Sequence, residues 1–401
     1  MSAGPPIPLE EAQTRLCAFA SPLPAVSVET GNAAGYYLAE DLIARRTQPG
    51  SDLSAMDGYA VRADDLAGPW TVVGESAAGH PFGKALKAGE AVRISTGAIM
   101  PQGAGAVLLQ ENAARHGNTV SCNGEGEPGA EHIRRKGFDF SEGDLLLQAR
   151  TCVGPAQLAL ALAGGNATLP VHGRPSLAVI DSGDELSTDP ANCDAHQIPA
   201  SNGAAIAAMA ASLVSQIHRI GPVRDRIEAL LESLQAASDA DVIVTSGGAS
   251  VGDHDLVRPA LEKWGATIEF WRVAIKPGKP LLVATRGKQI VLGLPGNPVS
   301  SFVTAYFFLL PLLRKMAGAR HFLPLPMPMA CNTPLPAGGP RAEFLRGRIV
   351  GGAVELIEER DSSALRALAG ADVLIGRDID APSSKVGDVV PTYRIQNGGI
   401  A

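Results

Sequence analysis

The 401-residue sequence predicts a multidomain protein of the α/β-plus-β class. Three observations carry this. Brief β-rich runs separated by Gly and Pro occupy Gly58 to about Ala149, and apolar strand-like runs then alternate with helical spacing from Ser176 to Ala317. A Pro-rich stretch, Leu323-Pro324-Leu325-Pro326-Met327-Pro328, precedes a last set of short β-like runs, as linkers between domains do. At 45% hydrophobic the chain can bury a substantial core, and its length favours two to four domains.

In chain order, Leu9 to Ala18 and Leu38 to Ala44 carry helical spacing, with Pro and Gly interrupting everything between Ser21 and Gly35. Thr71-Val72-Val73, Ala91 to Ile94 and Ala106 to Leu109 read as strands. Gly124 to Gly129 matches G-x-G-x-x-G, but Glu and Pro fill it and no βαβ unit surrounds it, so it reads as a hairpin loop. A helix is expected over Gln157 to Ala163. Strands then follow at Ser176 to Asp181, His218 to Val223, Val242 to Thr245 and Ile290 to Leu294, interleaved with helices at Asn202 to Gln216, Arg226 to Ala237, Leu256 to Trp264 and Val299 to Ala317. That alternation implies right-handed βαβ units and a parallel or mixed sheet covered on both faces. Phe344 to Ile349, Ala353 to Ile357, Val373 to Ile375 and Val389 to Tyr393 read as strands of a terminal β domain. The expected units are 1–45 with 146–175, then 46–145, 176–320 and 325–401.

The formal net charge of -7 argues against general nucleic-acid binding, which needs many Lys and Arg contacts to phosphate. The N-terminus lacks a basic start followed by an apolar run. The longest apolar stretch, Phe302 to Leu313, carries Pro311 and falls short of the roughly 20 residues that span a bilayer. A soluble, cytoplasmic protein is expected. Five scattered cysteines without C-x-x-C spacing fit reduced thiols, and the eight histidines form no metal-ligand pair.

Chemistry concentrates in a few loops. Thr245 to Asp255 (TSGGASVGDHD) lies between a strand and a helix, where glycines let backbone N–H groups approach phosphate and Asp253 and Asp255 can hold a divalent cation. A glycine-rich tight turn is the plainer alternative. The same stretch spells G-x-S-x-G around Ser250, the nucleophile turn of α/β-hydrolases, for which His254 and His321 are the available histidines. Asp181-Ser182-Gly183-Asp184-Glu185 follows an apolar strand and suits Mg²⁺ or ribose hydroxyls, or is a solvated turn. Lys276-Pro277-Gly278-Lys279-Pro280 sets two cations on stiffened loops, and in Pro295-Gly296-Asn297-Pro298-Val299-Ser300, Asn297 and Ser300 can cap the following helix. Arg134-Arg135-Lys136 is a candidate anion contact in an acidic chain.

Taken in order, Met56-Asp57-Gly58-Tyr59-Ala60, Ser95-Thr96-Gly97-Ala98, Gly183-Asp184-Glu185-Leu186, Ser246-Gly247-Gly248, Lys276 to Pro280 and Pro295 to Pro298 resemble the MoeA family, which includes the gephyrin E domain. The resemblance runs from about Leu9 to Val390, with Arg341-Ala342-Glu343-Phe344 and Arg346 in the last domain. It implies a central molybdopterin-binding-like α/β domain, a β-rich insert, a helical N-terminal linker region and a β-barrel-like C-terminal domain. It further implies a homodimer whose cleft lies between the α/β domain of one subunit and the β domain of the other. The implied activity is molybdenum insertion, with adenylyl-molybdopterin and molybdate as substrates, Mg²⁺ as cofactor, and contacts with molybdopterin adenylyltransferase and apo-molybdoenzymes. A scaffold that binds molybdopterin without turnover is the alternative. The smaller adenylyltransferase lacks the β domain that carries Asp57 and Thr96.

By the resemblance, Asp57, Thr96, Asp139, Glu185 and Asp255 stand at positions implicated in activity, with Glu185 and Asp255 on the metal. Gly247, Gly248, Ser250, Lys276 and Lys279 stand around the pterin phosphate, with Pro295, Asn297 and Ser300 beside them, and Arg346 stands in the cleft. The chain departs from the family at Pro199-Ala200, where a carboxylate is usual, and at Asp181, where a small hydroxyl residue is usual.

Overall fold

The computed structural model describes residues 6–247 and 256–395. Its centre is a six-stranded sheet in the spatial order Gln216–Val223, Ser176–Ser182, Val242–Ser246, Gln289–Leu294, Pro280–Arg286, Thr267–Arg272. The first four strands are parallel and the last two join antiparallel, so the sheet is mixed. Because successive side chains of a strand point to opposite faces, the continuous apolar runs feed two cores at once. Leu177, Val179, Val242 and Val244 pack on one face with Ile206 and the long helix beginning at Pro298. Ala178, Ile180 and Ile243 pack on the other with Leu230, Leu234 and Leu261.

That long helix runs from Pro298 to Met316 as an α segment, a π turn over Ala305–Leu309 and a second α segment. At 19 residues it exceeds the apolar stretch expected, and by length and composition it is long enough to cross a membrane. It is mostly buried inside the protein. Pro311 has no N–H, so an α-helix would leave the Phe307 carbonyl without its donor four residues on. Gln13 of the helix Leu9–Ala18 supplies one, its Nε2 donating to Phe307 O at 2.8 Å from a buried position. Gln13→Ala is therefore expected to destabilise the protein by about 1–3 kcal/mol, the cost of an unsatisfied buried acceptor; a urea titration reads it, and an unchanged midpoint would show the bond is dispensable.

The remaining chain forms three smaller β structures. Ala25–Glu29 pairs with Thr168–His172 and Leu42–Ile43 with Leu145–Leu147, around a core of Leu38, Leu42, Val153, Leu169 and Val171. The helix expected over Leu38 to Ala44 is absent: Leu38 bridges Val171 and the backbone bonds go to the later strands. Its spacing reflects a bend, with Asp41 Oδ1 accepting the Ala149 N–H at 2.7 Å. A second six-stranded sheet has the order Ala104–Leu109, Gly58–Arg62, Glu90–Ile94, Trp70–Ser76, Thr119–Cys122, Ala113–His116. The hairpin of its last two strands turns at Gly117, so Gly124 to Gly129 is a connecting loop rather than a hairpin. In the C-terminal part, Ala353–Leu356, Ala342–Val350, Val373–Arg377, Val389–Arg394 and Met327–Ala330 lie side by side, and a bridge from Cys331 to Val354 closes them into a barrel.

Two further expectations are corrected. The helix from Asn202 ends at Ala210, because Gln216 is drawn into parallel pairing with Ser176. Pro280–Arg286 and Gln289–Leu294 form a hairpin whose first strand is not among the expected elements; Gly287 at φ 61° makes its turn.

Candidate active site

In the order of the four parallel strands, the first strand of the chain lies between the second and the third. Such an order has a switch point where the connections diverge, at the carboxyl ends of Ser176–Ser182 and Val242–Ser246, and ligands of open α/β sheets bind there. Asp181 pairs with Ser246 at that end, and a small crevice of about 40 Å³ opens beside them, reached by Glu185, Asn202, Gly247 and Gly296. Gly247 has φ 101°, and a Cβ there would lie 2.3 Å from the Ser182 carbonyl, so only glycine lets the two strand ends approach. Thr245 Oγ1 and Ser246 Oγ are buried without a hydrogen-bond partner among the described residues. Asn202 Nδ2 donates to Gly296 O at 2.7 Å, tying the helix Asn202–Ala210 to the loop across the crevice.

Glu185 is exposed on its loop, and Gly183 makes room for it: a Cβ there would lie 2.4 Å from the Glu185 carboxylate. The sequence reading missed Asp225, which braces this loop. Its Oδ1 accepts from Ser182 Oγ at 3.2 Å and its Oδ2 from the Asp184 N–H at 3.4 Å, while the Asp225 N–H donates to Asp184 Oδ1 at 3.3 Å. The available signal was its place at the carboxyl end of the edge strand Gln216–Val223, on the same side of the sheet as Glu185. Gly248, Ser250 and Asp255 lie outside the described residues, as does His254 of the hydrolase alternative; His321 is exposed beyond the end of the long helix.

A larger cleft of about 390 Å³ lies where the lysine loop meets the barrel. Ile275–Lys276 adds as a short parallel strand to Ala342–Glu343, which fixes the loop to that domain. Lys276, Lys279, Arg341, Arg346 and Arg360 line the cleft against Glu359 and Asp361, with Ser300 and Ser362 beside them. Lys276 Nζ lies 2.9 Å from Glu343 Oε1. Arg346 is 3% exposed; its Nη2 donates to the Glu359 carbonyl, and its Nε is buried without a partner among the described residues. Burial pulls its guanidinium below the ordinary value, while Glu359 and Asp361 act in the opposite sense. Asn297 occupies the N-cap position but makes no side-chain cap. Its Nδ2 donates instead to Ser362 Oγ at 2.9 Å, joining the two cavities' walls. Pro295 is buried at the strand end beside Gly296.

Asp57, Thr96 and Asp139 line neither cavity. Asp57 and Thr96 meet in the β domain, close to where Leu53–Ser54 pairs with Ile133–Arg134 and Leu53 bridges Ile99, and the Asp139 N–H donates to the Gln48 carbonyl. Asp57 Oδ1 accepts from the Thr96 N–H at 2.6 Å and from Thr96 Oγ1 at 3.0 Å. Asp139 is exposed, as is Phe138, and Asp52 accepts from Arg135 at 2.7 Å. The Thr96 backbone N–H, then its hydroxyl, hold the Asp57 carboxyl below the usual carboxylate range. The stability this bond contributes is present above the unfolded pKa and lost as pH falls through the lower folded one. Thr96→Val is expected to move the Asp57 titration upward without restoring the ordinary value, because the N–H remains. Carboxyl-carbon NMR across an acid titration reads the shift, and an unmoved midpoint would remove the hydroxyl's part.

Among the described residues no group of three or more His, Cys, Asp or Glu is arranged to hold a metal. The crevice offers the Glu185 carboxylate and hydroxyls. Mg²⁺ is commonly held by one or two carboxylates plus substrate phosphates and water, so this donor set fits it.

The α/β domain thus carries a switch-point crevice at its strand ends and shares with the barrel a cation-lined cleft, whose charge suits an anionic ligand. Residues 178–315 match the family described as a probable molybdopterin binding domain. Residues 7–165 match the MoeA N-terminal region (domain I and II), and 329–395 the MoeA C-terminal region (domain IV). A molybdopterin molybdenumtransferase of Haemophilus influenzae is 37% identical over 294 residues, 72% of each chain, and one of a Nostoc species 36% over 334 residues, 80% of this chain and 76% of that one. A molybdopterin biosynthesis MoeA protein from Pyrococcus horikoshii OT3 superposes with a TM-score of 0.82 at 25% identity, covering 97% of this chain and 99% of that one. The chain belongs to the MoeA family.

Proposed function

We propose that the protein is a molybdenum insertase, transferring molybdate to adenylyl-molybdopterin and releasing AMP. The observation that carries this reading is that one loop, Gly296 to Ser300, contributes to the walls of both the Gly247 crevice and the basic cleft, in a chain whose relatives are named molybdopterin molybdenumtransferases. The reaction must gather several anions and break a phosphoanhydride, so fixed cations and backbone donors are what it needs.

In this reading Lys276, Lys279 and Arg346 hold molybdate and the pterin phosphate, and Ser300 and Asn297 shape the wall between the cavities. Arg346 is set in advance of binding, because the barrel already orders its side chain. Gly247 keeps the strand end open for a phosphate, its own N–H donating to the Leu294 carbonyl, and Gly248 and Ser250 would supply the contacts to that phosphate. Glu185 and Asp255 would hold Mg²⁺, which when bound supplies neutralising charge at phosphorus. Asp225 positions the Glu185 loop. The Asp57–Thr96 pair and Asp139 complete the site from the second subunit of a homodimer. That arrangement accounts for their exposure, away from both cavities of their own chain. The cytoplasm, with molybdopterin adenylyltransferase and apo-molybdoenzymes as contacts, is the setting that fits such a step.

AMP release from adenylyl-molybdopterin on addition of molybdate and Mg²⁺ tests the reading. Wild-type protein is expected to release it and Glu185→Ala to lose at least tenfold; no release from the wild type refutes the reading. Mixing Asp57→Ala subunits with Lys276→Ala subunits is expected to restore part of the activity that each lacks alone, and no restoration would place the whole site in one chain.

A further inference from the structure

Glu343 is a buried carboxylate that no step of the insertase reading uses. It is 9% exposed and does not reach the wall of the basic cleft, whereas its neighbours Arg341, Phe344, Leu345 and Arg346 do. A carboxylate in such a place is costly unless a cation compensates it. The barrel supplies two candidates. Ile275–Lys276, Ala342–Val350 and Val373–Arg377 lie side by side, and their register puts Lys276, Glu343 and Arg377 in one row. The Arg377 Nη groups donate to Ser384 Oγ and to the Pro336 and Pro382 carbonyls. Lys276 Nζ donates to Glu343 Oε1 at 2.9 Å.

The pair is uneven: the Glu343 side chain is 11% exposed and that of Lys276 49%. The carboxylate is therefore fixed in the barrel, and the ammonium that it holds faces the cleft. A lysine stem is flexible, so its charge stays in one place only when another group fixes it. One of the three ammonium donors goes to Glu343, which leaves two for a ligand. The backbone is held as well. The Ala342 N–H donates to the Ala274 carbonyl at 2.9 Å, and Gly278, at φ 110°, lets the loop pack on Thr304, whose Cγ2 would lie 2.7 Å from a Cβ there.

We propose that Glu343 is a positioning residue for molybdenum insertion: its carboxylate fixes the Lys276 ammonium at the cleft wall, so that the two remaining donors meet the oxyanion in one geometry. The proposal rests on the insertase reading for the reaction, and it adds a side chain that acts through Lys276 without touching substrate. A negative charge behind the cleft weakens its pull on any anion, so Glu343 does not serve tighter binding. Its gain lies in turnover, where a donor already in place stabilises developing charge without having to reorganise.

Insertion kinetics of the full chain against molybdate, with lysine-ammonium NMR of the same proteins, test this. Glu343→Gln keeps the shape and removes the charge. Its kcat is expected to fall about tenfold or more while KM for molybdate stays or drops, because the cleft loses placement and gains net positive charge. The Lys276 ammonium signal, identified by its loss in Lys276→Met, is expected to lose order in Glu343→Gln. In the Lys276→Met background the same substitution is expected to change kcat less than about twofold, since the group it acts through is gone. A kcat loss that persists undiminished in that background overturns the proposal and assigns Glu343 to Arg377 and the fold. So does a KM that rises at unchanged kcat, or an ammonium equally ordered with Glu and with Gln at position 343. Absence of wild-type turnover removes the insertase reading alone, and the ammonium then decides: loosened in Glu343→Gln, it keeps Glu343 as the holder of Lys276, and unmoved, it removes that role too.

Discussion

Arg346→Met is expected to lower molybdenum insertion by about 10²–10³-fold, the usual loss for one preorganised charged donor at a reacting oxyanion, while leaving the protein folded. The guanidinium is buried at the junction of the lysine loop and the barrel, and its Nε has no partner among the described residues. On the insertase reading, a cation kept in this cleft at a desolvation cost serves the ligand as well as the Glu359 carbonyl that it binds. Methionine matches much of its volume and removes that cost, so thermal stability is expected to hold or rise slightly while turnover collapses. Turnover and melting temperature measured on the same preparation decide it. A folded variant with wild-type turnover would move the anion site elsewhere, and loss of folding would make Arg346 structural.

Gly247→Ala is expected to cost about 1–3 kcal/mol of stability and to weaken substrate binding at least tenfold. The residue sits at φ 101°, and its Cβ would fall 2.3 Å from the backbone oxygen of Ser182, so the ends of two paired strands must separate. Gly296→Ala across the crevice is the informative contrast. Its Cβ would meet the Gly247 Cα at 3.6 Å, an ordinary contact, so the fold is expected to keep its stability within about 0.5 kcal/mol. Chemical denaturation of both variants gives the comparison. Equal stability of the two would show that the strand ends separate easily and that the glycine is not required by the fold.

Much of the central sheet was readable because its strands are buried on both faces, which leaves uninterrupted apolar runs such as Leu177 to Ile180 and Val242 to Val244. Short strands that exist only by pairing with distant chain were not. Leu42–Ile43 looked helical by spacing, yet its hydrogen bonds are satisfied about a hundred residues away. Ile275–Lys276 looked like a plain loop, and only its pairing with Ala342–Glu343 shows why the lysines stand against the barrel. In the site, motif order brought Gly247, Lys276, Lys279, Ser300 and Arg346 to two adjoining cavities. Asp225 escaped because a single acidic residue after a strand has no pattern of its own; its meaning comes from Ser182 and Asp184 folding onto it. Asn297 was legible as a helix start but not as a tie to Ser362, which lies in another domain.

The most direct test of the insertase account is reconstitution of a purified apo-molybdoenzyme by this protein supplied with adenylyl-molybdopterin, Mg²⁺ and molybdate. The account predicts restored molybdoenzyme activity with wild-type protein and its loss with Glu185→Ala. Tight binding of adenylyl-molybdopterin with no restored activity from the wild type would contradict it and leave a protein that holds the substrate without converting it.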